Sequence, residues 1–349
     1  MKASFTKYTL HFKRPGGTSR GVLTDKETYF ICLRDGQRWG VGETGLFRGL
    51  STDDRSDYET VLAQACKALT DKGDIALEAY REFPSIVFGL EQALRSLNGK
   101  SPFNLFPSSF LEGEPIPING LIWMGDPDFM KQQIREKTEM GFRCLKMKIG
   151  ALDFGQELNL LRDIRSEYPA DQLEIRVDAN GAFTEAEALE KLKLLSELEL
   201  HSIEQPIAPG LWEAMAKLCE QTPLPIALDE ELIGIFRIGE KRRMLEAIRP
   251  QYIILKPSLV GGFSGSMEWI EAAESRQIGW WVTSALESNI GLNAIAQWTA
   301  TLGVHLPQGL GTGSLFTNNF ESPLEVVGGA LHYRQTIRWN ETQIEGLCI

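Results

Sequence analysis

Cysteine and histidine are scarce in this chain, five and four residues out of 349. Cys32, Cys66, Cys144, Cys219 and Cys348 are odd in number and form no CxxC, and no HExxH or paired-histidine spacing occurs. The pattern argues against a disulfide framework or a zinc site and predicts reduced, buried thiols in a cytoplasmic protein. Any metal must then be held mainly by carboxylates, which favours a hard ion such as Mg²⁺, with Mn²⁺ taking the same oxygens. Long apolar runs are also missing. LIWM (121–124) and YIIL (252–255) fall far short of the roughly 20 residues that cross a bilayer, and the first residues, MKASFTKYTLHFKRPGG, lack the apolar stretch of a secretory signal. Bases are outnumbered, 36 to 47, for a net charge of −11. Neither nucleic acid nor an anionic membrane is the expected partner.

What is present is ordered β-rich first, then helical, then alternating. KASFTKYTLHF alternates in polarity, and ETYFICLRDGQRWGVGET reads as two strands joined at Asp35-Gly36. DYETVLAQACKAL (57–69) and SIVFGLEQALRSL (85–97) carry apolar residues at helical spacing. Residues 98–117, rich in Pro, Gly and Ser, read as a connection. From Ile118 onward short β-rich runs alternate with helical stretches: INGLIWM, RCLKMKIG, LEIRVDAN, LHSIEQP, PIALDE, YIILKPS and GWWVTSA. Asp126-Pro127 predicts one helix start, and Thr184 with Glu187 a capping box at another. The polar residues ending successive strands, Lys148, Asp178, Glu204, Asp229, Lys256 and Ser284, are spaced by 30, 26, 25, 27 and 28 residues. That period, with a short eighth strand near Gln308–Gly313, predicts an α/β chain closed as a (β/α)₈-type barrel. An open doubly wound sheet would gather its site only at a switch point.

In such a barrel Asp178, Glu204 and Asp229 converge from neighbouring strands, and a divalent cation lets three carboxylates coexist. Lys146 and Lys148, two residues apart, share a strand face. Lys256 comes from the other side. Ammonium groups close together beside a cation are expected to lower a lysine pKa, making Lys148 a general base. A metal facing lysines suits removal of a proton alpha to a carboxylate, because the metal stabilises the enediolate. The substrate expected is a small-molecule carboxylate. The competing reading makes KxK a solvated edge and the aspartates helix caps. It does not predict acids on three consecutive strands, and glutamate is a poor cap.

KMK (146–148), DAN (178–180), IEQP (203–206), LDE (228–230) and LKP (255–257), in this order and spacing, resemble the muconate-lactonizing subgroup of the enolase superfamily. The resemblance covers essentially the whole chain. It implies a (β/α)₈-type, modified TIM barrel at 111–315, an N-terminal α+β capping domain at 1–110 that serves as a lid, and a C-terminal segment at 316–349 returning toward the cap. TSRG (18–21), GVGETGLFRGLS (40–51), FGLEQAL (88–94), TSALESNIGL (283–292) and GLGTGSLF (309–316) are most similar to the branch that forms o-succinylbenzoate in menaquinone biosynthesis, of the Bacteroidetes type.

That branch implies a lyase that dehydrates a succinyl-hydroxycyclohexadiene carboxylate. Lys148 would take the alpha proton, Lys256 would stabilise the enediolate, and Lys146 would tune Lys148. Asp178, Glu204 and Asp229 would bind Mg²⁺. Asn180, Ser284, Glu287 and the lid residue Arg20 would support the site or contact substrate, and Leu46, Phe47 and Arg48 would shape the pocket. Glu231 departs from the pattern, and if turned inward it weakens the assignment of Asp229. Gly311-Thr312-Gly313 stands where dipeptide epimerases carry Asp-x-Asp, which argues against an aminoacyl substrate. An N-acylamino acid racemase or dipeptide epimerase remains the alternative enzyme, and a noncatalytic metal–carboxylate binder the alternative class. A homo-oligomer is compatible with all of these.

Overall fold

A computed structural model describes residues 1–18 and 21–348. The chain opens with an antiparallel sheet of β1 (Lys2–Thr18), β2 (Gly21–Asp35) and β3 (Arg38–Glu43). Gly36 turns β2 into β3 with φ at +62°, a left-handed conformation that suits glycine. Helices α1 (Tyr58–Lys72) and α2 (Pro84–Asn98) cover one face. Their apolar stripes bury Leu62, Leu69, Ile86 and Leu90 against Ile31 and Leu33. Gly42 permits the close approach of α2, since a β-carbon there would lie 2.1 Å from the Gly89 carbonyl oxygen.

After β4 (Ile116–Pro117), strand and helix alternate: β5 (Gly120–Ile122), α3 (Pro127–Glu139), β6 (Cys144–Lys148), α4 (Phe154–Glu167), β7 (Glu174–Asp178), α5 (Glu185–Ser196), β8 (Ser202–Glu204), α6 (Trp212–Gln221), β9 (Ile226–Leu228), α7 (Ile238–Ile248), β10 (Tyr252–Leu255), α8 (Pro257–Val260), α9 (Gly262–Glu274), β11 (Gly279–Val282) and α10 (Asn289–Ala300). The seven strands β5 to β11 form one parallel sheet in chain order. Gln308 and Gly309 close it as an eighth stave, bridging Ile118 on one edge and Thr283 on the other. The caps follow the sequence: Asp126 accepts from the Phe129 amide at 2.9 Å, and Thr184 with Glu187 forms a capping box.

The remaining chain ties these parts together. β12 (Leu324–Val327) and β13 (Ala330–Tyr333) pair with β4, and the chain then runs through α11 (Glu341–Glu345). Phe320 and Ile344 pack with Phe30, Val41 and Phe103, and the Thr6 hydroxyl donates to the Leu347 carbonyl at 2.7 Å. Glu91 of α2 accepts from the amides of Phe263 and Ser264 at the start of α9, a carboxylate satisfying exposed helix N–H groups. Among the described residues no helix is long and apolar enough to cross a membrane.

One expectation needs correcting. Cys66, Cys144 and Cys219 are free and buried, but Cys32 is disulfide-bonded. Proximity in the fold decides such pairing, and spacing along the chain does not reveal it.

Asp53 is buried where α2 begins and accepts from the Ser85 amide at 2.9 Å and the Ser85 hydroxyl at 2.6 Å. Burial nevertheless pushes its carboxyl from 3.8 to about 6, against the lowering effect of Ser85. A carboxyl raised by folding holds its proton longer in the folded state, so stability falls as pH rises from the unfolded value through about 6. The full cost above that range is roughly 3 kcal/mol or less. Asp53→Asn keeps an acceptor for Ser85 and is expected to flatten this dependence. The denaturation midpoint of the variant relative to wild type should climb between about pH 4 and 7; a difference that stays constant with pH would refute the assignment.

Candidate active site

The site is built by strand register. Lys148 pairs with Asp178 across β6 and β7, and Asp178 pairs with Glu204 across β7 and β8. Asp229 follows β9 directly, and Lys256 follows β10. With β-side chains alternating in direction, Lys146 and Lys148 project to one side of β6. β10 lies four strands from β6 in an eight-stave cylinder, so Lys256 enters from across the barrel. All three lysines and Asn180 line one cavity of about 350 Å³ at the strand ends.

Charge is balanced inside the cluster. Lys146 Nζ lies 2.9 Å from Asp178 and 2.5 Å from Glu204. Lys148 Nζ donates to Asp178 at 2.9 Å and to the Asn180 side-chain oxygen at 2.7 Å. Lys256 pairs with Asp229. Burial opposes the charge on Lys146, but Asp178, Glu204 and Asp229 outweigh it and hold its pKa above the ordinary value. Lys256 is likewise raised, burial being outweighed by Asp229 and Glu204. The neighbouring charges thus act on these two lysines in the opposite sense to the lowering expected from ammonium groups crowding one another. Asp178 is well below the usual carboxylate range because Lys146 and Lys148 overcome its burial. Glu204 is pushed well above it by burial and by Asp178, with Lys146 only partly compensating.

The three acids expected as metal ligands therefore come to adjoining strand ends, with Lys146 wedged between two of them. Among the described residues no three acidic, histidine or cysteine side chains make a ready coordination sphere. The donor set still suits a hard divalent ion, since every candidate ligand is an oxygen. Glu204 Oε1 is buried with no hydrogen-bond partner, and such an atom at a cluster of acids is a place for a cation.

The supporting residues divide. Asn180, at φ +44°, links Lys148 to Glu230 through its side-chain amide, which donates to Glu230 at 3.0 Å. Glu231 turns away from the cavity and accepts from Gln205 at 3.1 Å and the Gly210 amide at 2.8 Å, so the extra acid does not compete with Asp229. Ser284 lines the cavity, but its hydroxyl proton goes to Glu287 at 2.5 Å and its oxygen already accepts from Thr312 and the Leu286 amide. Glu287 lies behind that wall with no solvent exposure and is not a lining residue. Phe47 lines the cavity, whereas Arg48 is engaged with Glu27 and Asp54. Arg20 lies outside the described residues.

Sequence reasoning passed over Lys13 and Arg14. Both line the cavity from β1, where the register with β2 breaks between His11 and Gly16. Such a bulge re-aims side chains. Two adjacent cations before Pro15-Gly16-Gly17 in an acidic chain were the available signal. Glu230 was quoted only as part of a motif, and its bond to Asn180 depends on the fold.

A closed parallel barrel with acids and opposed lysines at its strand ends, under an antiparallel cap, defines the class. Residues 129–337 match the Enolase C-terminal domain-like family, and the chain belongs to the enolase superfamily. Within it, the chain is 49% identical to the o-succinylbenzoate synthase of Desulfotalea psychrophila, over 95% of this chain and 98% of that protein. The crystal structure of MenC from Desulfotalea psychrophila LSv54 superimposes with a TM-score of 0.86 at 46% identity, covering 95% of this chain and 99% of that one. A muconate lactonizing enzyme from Pseudomonas fluorescens shares the fold at a TM-score of 0.81 and 22% identity, covering 99% and 98%.

Replacing Lys146 with Met leaves Asp178 and Glu204 facing each other without their shared ammonium. Breaking a buried pair of this kind costs about 3–5 kcal/mol. Urea unfolding in chelator is expected to show that loss, and millimolar Mg²⁺ should recover part of it by neutralising the same oxygens. No recovery in Mg²⁺ would count against these acids as ligands.

Proposed function

We propose that this chain is an o-succinylbenzoate synthase, a carbon–oxygen lyase that dehydrates 2-succinyl-6-hydroxy-2,4-cyclohexadiene-1-carboxylate to o-succinylbenzoate in menaquinone biosynthesis, in the cytoplasm. The observation that carries this reading is that Lys148 and Lys256 enter one cavity from opposite sides of the barrel, beside Asp178, Glu204 and Asp229. The 49% identity to a synthase over nearly the whole chain supports the particular substrate.

Asp178, Glu204 and Asp229 would hold Mg²⁺, with Mn²⁺ able to replace it. A divalent ion there supplies positive charge where the substrate carboxylate becomes an enediolate. The chain's own residues do the rest. Lys148, in its amine form, takes the proton from the carbon bearing the carboxylate. The hydroxyl on the neighbouring ring carbon then leaves, receives that proton from Lys148 and departs as water, and the ring becomes aromatic. The count closes, with one proton and one hydroxide leaving as a single water. Lys256 stays charged in the grip of Asp229 and faces the ring from the other side, where an ammonium stabilises both the enediolate and the π face. Lys146 stays charged between Asp178 and Glu204, which hold its pKa above the ordinary value, so it serves as a fixed positive charge beside Lys148. Asn180 fixes the direction of Lys148 through its 2.7 Å hydrogen bond.

Lys148→Ala should lower kcat by about 10³-fold, the usual scale for losing a positioned base, when assayed in Mg²⁺ below the melting midpoint of the variant, which drops because Asp178 loses a buried partner. The assay follows aromatisation in the ultraviolet. Full turnover by the variant would overturn the assignment of the base. Racemisation of N-acylamino acids by the wild type without aromatisation would overturn the synthase reading. Chelation should abolish turnover and added Mg²⁺ should restore it; activity that persists after exhaustive chelation would remove the metal role.

A further inference from the structure

A second charged cluster is buried at the joint between cap and barrel. Lys26 projects from β2, Glu43 ends β3, and Glu287 lies in the loop after β11. Lys26 is 6% exposed, and both glutamates are fully enclosed. Burial pulls the Lys26 pKa below the ordinary value, and the charges of Glu287 and Glu43 oppose that fall without reversing it. Burying three charges is costly, and an apolar trio would pack the joint at less expense. The partners of each charge indicate why they are here.

Glu43 accepts from the Ser288 amide at 3.0 Å, the Ser288 hydroxyl at 2.5 Å and the Gly291 amide at 3.0 Å. It therefore fixes the start of α10 from the capping sheet. Glu287 receives the hydroxyl protons of Ser284 at 2.5 Å and Ser258 at 2.6 Å. Ser284 is cavity wall, and Ser258 stands two residues after Lys256. Lys26 Nζ donates to the Gly45 carbonyl at 3.5 Å and lies 5.9 Å from the centre of the Phe47 ring. Phe47 and Leu50 line the cavity from the cap. Gly45, at φ +69°, is pressed so close that a β-carbon would meet Ser258 Cβ at 2.9 Å and Glu287 Oε1 at 3.2 Å. One cluster thus touches the cap loop, the end of β11 and the segment carrying Lys256.

We propose that Lys26, Glu43 and Glu287 are positioning residues that set the cap loop 46–50 against the cavity wall, so that they govern how the substrate fits and leave proton transfer to the lysines at the strand ends. The kinetic part of this inference rests on the synthase reading; the structural part does not.

The test uses the full-length enzyme with Mg²⁺ and four variants: Lys26→Met, Glu287→Gln, the two combined, and Ser258→Ala as a milder cut at the same carboxylate. Three quantities are read: melting midpoint, amide hydrogen exchange over residues 46–50, and kcat and KM for the cyclohexadiene carboxylate. Each charge variant is expected to lower the midpoint, speed exchange over 46–50 and raise KM at least tenfold, with kcat within threefold of wild type. The combined variant has one cation and one anion fewer, and its midpoint should return toward wild type while KM and exchange stay high. Ser258→Ala should raise KM about threefold. A combined variant and a Ser258→Ala variant that both keep wild-type KM and wild-type exchange would reduce the cluster to a structural joint and overturn the proposal. If the wild type does not aromatise the substrate, the synthase reading fails, and exchange over 46–50 still decides the positioning role.

Discussion

Lys146 reaches Asp178 and Glu204 at once, and the rest of the site is arranged around that contact. Two carboxylates on adjacent strands cannot both stay ionised in a closed barrel without positive charge beside them. The ammonium between them keeps Asp178 strongly acidic and leaves Glu204 the poorly satisfied member, with one oxygen lacking a partner. That residual demand for charge is what a divalent ion at these strand ends would satisfy. It is also why Lys148 and Lys256 can be placed as an opposed pair without the cavity becoming strongly cationic.

The barrel supplies position and the cap supplies enclosure. Parallel register fixes Lys148, Asp178 and Glu204 side by side, and the short Gln308–Gly309 stave brings the edges of the sheet together so that Lys256 faces them. Cap and barrel are then joined by carboxylates that satisfy helix N-termini across the boundary, Glu91 at α9 and Glu43 at α10. Such bonds are directional, so they hold the two parts in one relation where apolar packing alone would tolerate sliding. The cavity, formed from both parts, inherits that precision.

Much of this was legible before any coordinates. The strand-end residues recurred at one βα period, and acids on three consecutive strands had no bland explanation. The caps at Asp126 and Thr184, and the hairpin turn at Gly36, were local signals that the structure keeps. The supporting residues were less legible. Glu287 was read as either supporting the site or contacting substrate, and sequence could not choose between these; it stands behind Ser284, because a loop residue's direction is set by what packs on it. Lys13 and Arg14 gave no periodic signal, since a register break places them over the cavity. Lys26 carried no signal of its own in the sequence, because the carboxylates buried near it come from other segments of the chain.

The amino-acid sequence by itself determined the barrel, the order of its chemistry-bearing strand ends and the class of reaction, because alternation, period and residue type are local properties that survive without a partner. Tertiary structure alone decided which charges meet. It put Lys146 between Asp178 and Glu204, turned Glu231 away from the cavity, and buried Lys26 with Glu43 and Glu287. Pairing energies depend on distances between segments far apart in the chain and on the solvent excluded from between them, and neither is written in a linear order of residues.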